Sequence, residues 1–353
     1  MSRPEVPPPR RWSFDPLRAA PGPIIELLPP PGQGVPAAPP PRWGLAVTLF
    51  VLTLLSTTTL GAVWSLWAHP TRMVDVFPWL SPHTIRSVWS DPESLRLGLS
   101  FAVPALFILL CHELGHYLAC RHYRLPATLP HFLPVPVGIG TLGAFIRIRA
   151  PIQSRRQLFD VGIAGPLAGF LALLPFLLAG VAMSRPAAVA ALDPALAQTV
   201  DGGAAQVGML LAPGRCLALE LATRLFHGPL PEGTVLHLHP FALAAWFGLL
   251  VTAMNLLPLG QLDGGHVLYA AAGAVQRRLA LPLWLALGLA GLYWPGWLLW
   301  CLIVLLMGLR HPPVRDEATP LDRGRLALAW VGLAVFVLSF MPLPVEEVLI
   351  ALP

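Results

Sequence analysis

The sequence predicts an all-α polytopic membrane protein of about six to seven transmembrane helices carrying a small membrane-associated β-hairpin. Three observations predict it. Of the 353 residues, 55% are hydrophobic and only 12% charged, whereas a soluble domain keeps about a quarter of its residues charged. Several apolar runs reach the ~20 residues that a helix needs to cross the hydrocarbon core. Arginines, the only basic residue apart from histidine, collect on alternate loops as positive-inside topology requires.

The first apolar run is Trp43 to Trp67, the second Leu95 to about Arg121, the third Val161 to Met183 and the fourth Pro240 to about Leu257. The stretch from Leu279 to Leu309 is interrupted by Tyr293-Trp294-Pro295-Gly296. That turn signal divides it into two short helices, a single kinked helix being the alternative. A last run covers Leu326 to Met341. With the N-terminus inside, inner loops hold 17 of the 23 basic residues, and only Arg72, Arg86, Arg96, Arg185, Arg215 and Arg224 lie outside. The asymmetry predicts seven spans and a cytoplasmic N-terminus, as in a multi-pass protein of a bacterial inner membrane. It also accounts for the net charge of +5, since the arginines form no basic stripe of the kind nucleic acid requires.

Residues 1–42 are rich in proline and arginine, with no apolar core of a signal peptide, and read as a disordered tail. The membrane domain then covers 43–341, and 342–353 form a short C-terminal tail. The longest loop, 184–239, falls outside and carries an amphipathic segment from Arg215 to Phe226. The inner segment from Leu125 to Ser154 is apolar but punctuated by proline and glycine, which disfavours helix. Its tail, Ala144 to Arg149, alternates with period two and reads as one strand of a hairpin, sheltered by protein or water because lipid cannot satisfy its backbone. The four cysteines, Cys111, Cys120, Cys216 and Cys301, form no CxxC pair and read as small buried hydrophobes.

The chemistry concentrates in two motifs. HELGH at 112–116 lies inside the second span. Helical residues four apart share a face, so His112 and His116 can hold one Zn²⁺ through imidazole nitrogens. Glu113 projects beside them, where it can take a proton from water. The preceding run, Phe101 to Cys111, is apolar throughout, and ionisable groups at that depth cost several kcal/mol unless paired or ligated. Zinc needs a third protein ligand, and NLLPLGQLDGGH at 255–266 offers Asp263. Gly264 and Gly265 would allow a tight backbone turn that aims its carboxylate, the plain alternative being an Asp-Gly turn at a helix end. Topology favours pairing the motifs. His112 lies roughly 20 Å below the outer end of its span, and the outside-to-inside fourth span delivers Asp263 to that same inner half.

Together with GIAGPLAGF at 162–170, these motifs resemble the site-2 protease family of intramembrane zinc metalloproteases. FLPVPVGIGTLGAFIRI and LFDVGIAGPLAGF are similar to its EGY-like bacterial and plastid branch, over roughly residues 95–310. The resemblance implies a site-2 protease-like core, one zinc ion on His112, His116 and Asp263, and Glu113 as catalytic base. It further implies transmembrane proteins as substrates, cleaved within the bilayer. Asn255 would bind the substrate backbone or polarise the scissile carbonyl, although buried asparagines also tie helices together. Leu262 stands where many relatives have proline before the aspartate. Gly162, Gly165 and Gly169 read as helix-packing positions, and Asp160 as an ion-pair partner of Arg155 or Arg156. His237 and His239 could share a strand face outside. His122, His131, His266 and His311 show no partner pattern, with His131 and His266 near enough in sequence to lie by the site. Two other classes stay open: a non-catalytic membrane adaptor of the same fold, and an ion or metal transporter.

Overall fold

A computed structural model describes residues 43–67, 80–188, 207–231 and 233–351. The proline-rich tail at 1–42 lies outside the described residues. Ten helices and three small antiparallel strand pairs are found among them. Helix α1 (Trp43–Trp67) has the bounds of the first apolar run. Helix α2 (Pro82–Ser90) is a short addition whose N-cap, Ser81, accepts from the Thr84 amide at 3.0 Å. Helix α3 (Pro92–His122) starts at an Asp91 cap and carries HELGH in its lower half.

Helix α4 (Arg155–Met183) begins six residues before the apolar run, because Ser154 caps it and the first turn is polar. Three helices, at Trp43–Ser65, Pro92–His122 and Arg155–Met183, are long and apolar enough to cross a membrane. Helix α6 (Pro240–Asn255) is apolar but shorter. Helix α7 (Asp263–Ala272) follows it, then α8 (Ala274–Ala290) and α9 (Gly296–Met307). Residues 291–295 separate α8 from α9, since Pro295 cannot continue the first helix and Gly296 opens the second. Helix α10 (Arg323–Ser339) closes the bundle.

The core is the packing of α3 on α1, α4 and α6, with Leu173, Leu177, Leu243 and Leu249 at its centre. Close approach of α3 and α4 needs Gly115, where a Cβ would stand 2.4 Å from the Ala164 carbonyl. Between α3 and α4, strands β1 (His131–Pro134) and β2 (Thr141–Phe145) pair antiparallel. The ladder continues downward through the Ala127–Ile148 bridge and a bond from the Arg149 amide to the Pro126 carbonyl.

On the opposite side, β3 (Arg185–Ala188) pairs with β5 (Thr234–His237), flanking helix α5 (Leu217–His227). Helix α5 buries Ala218, Leu219 and Ala222 and exposes Leu217, Leu221 and Leu225. Strand β4 (Val207–Pro213) pairs with β6 (Val345–Ala351), so the end of the chain folds back onto the long loop. All four cysteines are free, and three of them are buried.

One expectation is corrected at the ends of α3, α4 and α10. Asp160 takes Arg325 as its partner, at 2.6 and 2.8 Å, and accepts a bond from the Tyr123 hydroxyl. Arg155 instead donates to the carbonyls of Ala270 and Ala271 at 2.8 and 3.0 Å, satisfying the orphan C-terminal carbonyls of α7. The side chains of a helix's first turn diverge by about 100° per residue, so neighbours in sequence reach different elements.

Candidate metal centre

His112 and His116 sit one turn apart on α3 and are 4% and 8% exposed. Their Nε2 atoms stand 3.1 Å apart. Asp263 is the first residue of α7, and its Oδ2 lies 3.4 Å from His112 Nε2 and 3.3 Å from His116 Nε2. Among the described residues these three form the group of His, Cys, Asp and Glu able to hold a metal ion, with ligand atoms within 4.8 Å of one another.

The donor set fits zinc. Tetrahedral bonds of about 2.0–2.1 Å place ligand atoms roughly 3.3 Å apart, close to all three observed separations. The tautomer also fits. His116 Nδ1 donates to the Val161 carbonyl at 2.7 Å, which leaves Nε2 as a bare lone pair facing His112. The His116 lone pair and the Asp263 carboxylate oxygen face one buried point and repel each other unless a cation or a proton lies between them.

Asp263 reaches this point by a different backbone route from the expected tight turn. The turn is made at Gly260, with φ of 53°, whereas Gly264 and Gly265 are helical. They are needed for space. A Cβ at Gly264 would stand 2.0 Å from the Leu256 carbonyl, and one at Gly265 2.5 Å from the Gly260 carbonyl. The first turn of α7 is therefore pressed against the segment leaving α6.

Glu113 is buried beside His116 and Asp263, and its carboxylate lies by the backbone amide of Ile146. This amide, on the strand that leaves β2, has no signature in the sequence. Asn255, the last residue of α6, brings its Nδ2 to 3.4 Å from His112 Nε2 and so faces the centre. The glycines of GIAGPLAG do more than pack helices. A Cβ on Gly169 would lie 3.2 Å from His112 Cβ and Nδ1, and one on Gly165 2.2 Å from His116 Nε2. Gly165→Ala is therefore expected to displace the His116 ring and cut zinc occupancy at least tenfold at fixed free zinc, with helix content unchanged, as metal analysis and circular dichroism would show.

The other histidines separate by structure. His131 turns to the Leu129 carbonyl and packs by Phe145, and His122 packs on Tyr123. His239 caps α6 by accepting from the Phe241 amide, so it does not share a strand face with His237. His266 and His311 pair with each other at 2.7 Å, against the absence of any pattern in sequence. His311 stacks on Tyr269 and receives the Gln276 side-chain oxygen at its backbone amide. Burial and the neighbouring His266 push His311 down to about 3, and the pair ties α7 to the segment that follows α9.

A profile described as "Peptidase family M50" matches residues 100–283, a span that contains every residue of the centre. The chain is 32% identical over 310 residues to "Probable zinc metalloprotease EGY1, chloroplastic" of Arabidopsis thaliana, covering 85% of this chain and 53% of that protein. It is 30% identical over 315 residues to the protein of the same name in Oryza sativa subsp. japonica, covering 86% and 51%. Against "Probable zinc metalloprotease EGY2, chloroplastic" of Arabidopsis thaliana it is 31% identical over 262 residues, covering 73% and 44%. The chain thus spans about half the length of the curated relatives it matches. No solved structure matches it.

Proposed function

The chain belongs to peptidase family M50, the site-2 protease family, and from that premise we propose that it is an intramembrane zinc metalloprotease hydrolysing peptide bonds of transmembrane proteins. One observation carries this reading. Ligand atoms of His112 and His116, on a helix long and apolar enough to span a bilayer, converge with one from Asp263 of α7 beside the Glu113 side chain.

In this reading His112, His116 and Asp263 hold one zinc ion. When bound, the ion supplies Lewis-acid polarisation of the scissile carbonyl and acidifies water in the site. Glu113 accepts a proton from the attacking water on a carboxylate oxygen and hands it to the departing amine nitrogen. Asn255, facing His112, hydrogen-bonds the substrate backbone through its side-chain amide.

A helical substrate hides its peptide bonds and must unwind before it reacts. Within the segment 138–149, strand β2 offers an edge on the side of Glu113, on which an extended segment can pair through main-chain hydrogen bonds. Water enters from the inner side, where the ligands lie nearest. Our reading takes α6, α8, α9 and α10 as spans alongside the three long helices, seven in all, over a membrane domain of 43–341 whose motif-bearing core is about 95–310. The arginine asymmetry supports a cytoplasmic N-terminus, and a bacterial inner membrane is the setting we assign.

Purified full chain, reconstituted in proteoliposomes with a single-span substrate protein, is expected to cleave it. A zinc chelator should lower the rate at least 100-fold, and added zinc should restore it. Cleavage that ignores the chelator would exclude the metal mechanism. Zinc binding with no cleavage would favour the adaptor, and ion flux the transporter.

A further inference from the structure

Helix α1 lies before the region matched by the family profile, yet it holds the tip of the hairpin that faces Glu113. The Ser56 hydroxyl donates to the Gly140 carbonyl at 2.7 Å, in a buried contact across 84 residues of sequence. Two turns further along α1, Trp64 Nε1 donates to the Gly138 carbonyl at 3.0 Å. Gly140, at φ of 90°, rests on the α1 backbone so closely that a Cβ would stand 2.5 Å from the Ser56 carbonyl carbon and the Thr57 nitrogen. Phe50 of α1 packs edge-on against Phe132 of β1, with ring centroids 5.2 Å apart. From the other side, the Leu80 amide donates to the Pro136 carbonyl at 2.7 Å.

On the other strand, Ala144 of β2 packs against Leu106 and Leu109 of α3, the helix that carries Glu113. The hairpin is thus fixed at two points, its turn by α1 and its lower strand by the HELGH helix. Short two-stranded ribbons are marginally stable alone, so these contacts set where the edge lies. We propose that Ser56 and Trp64 are positioning residues: they register the hairpin against Glu113 and so set how tightly an extended transmembrane segment is held for cleavage. The inference rests on the peptidase reading for its effect on substrate, while the clamp itself stands on the contacts above.

The test uses the full chain carrying Ser56→Ala, Trp64→Phe or Ser56→Thr, the last keeping a hydroxyl. Removing one hydrogen-bond donor to the turn is expected to speed hydrogen exchange at the amides of residues 138–146 about 5- to 10-fold. For a single-span substrate in proteoliposomes, KM should rise by a similar factor while kcat stays within about twofold and zinc content is unchanged. Ser56→Thr should restore both readouts. Unchanged exchange in Ser56→Ala and Trp64→Phe would overturn the clamp, as would a fall in kcat at constant KM. If the wild-type chain cleaves nothing, the peptidase reading and the effect on KM fail together, and the exchange measurement still decides the clamp.

Discussion

Replacing Glu113 with alanine is expected to lower substrate turnover about 10³-fold while zinc content and fold stay at wild-type levels. Loss of a general base typically removes 10²–10⁴-fold of rate, about 3–5 kcal/mol of barrier. Glu113 lies beside the three ligand atoms without being one of them. Its removal therefore takes away the proton acceptor and leaves the grip on the metal intact. Glu113→Gln separates two roles. Its amide keeps the size and shape of the carboxylate, but no proton can be taken, and the loss should match that of alanine. Single-turnover cleavage in proteoliposomes, with zinc measured on the same sample, checks this. Retention of more than a tenth of the rate, or zinc loss in either variant, would remove Glu113 from the role of base.

The second large effect is expected from Asp263→Ala, which leaves two histidines to hold the ion. Zinc affinity should fall at least 100-fold, cleavage should cease, and the stabilisation that bound metal adds to the native state should vanish, lowering Tm. The carboxylate lies 3.3 and 3.4 Å from the two imidazole nitrogens. Competition with a chromogenic chelator measures the affinity. An unchanged affinity at one zinc per chain would show that the third ligand lies elsewhere.

Much of the fold was legible because a membrane-spanning helix is a local object. Its backbone bonds close within four residues, and its side chains meet lipid or neighbours according to their own polarity. Trp43–Trp67 and the runs behind α3, α4, α6, α9 and α10 could be read from residues alone, as could the break at Pro295-Gly296. HELGH was equally local, since i and i+4 share a face wherever the helix goes.

Tertiary structure decided what depends on approach between distant segments. Asp263 begins a helix whose glycines make room for the carbonyls of Leu256 and Gly260. Gly165 is small because a ring from another helix occupies the place of its side chain, and Asp160 chose Arg325 across 165 residues instead of its sequence neighbours. The Ile146 amide, the His266–His311 pair and the Ser56 bond to Gly140 belong to the same class. A backbone amide or an imidazole pair carries no pattern in sequence. Its partner is fixed by how closely whole helices pack, and that distance is a property of the assembled bundle.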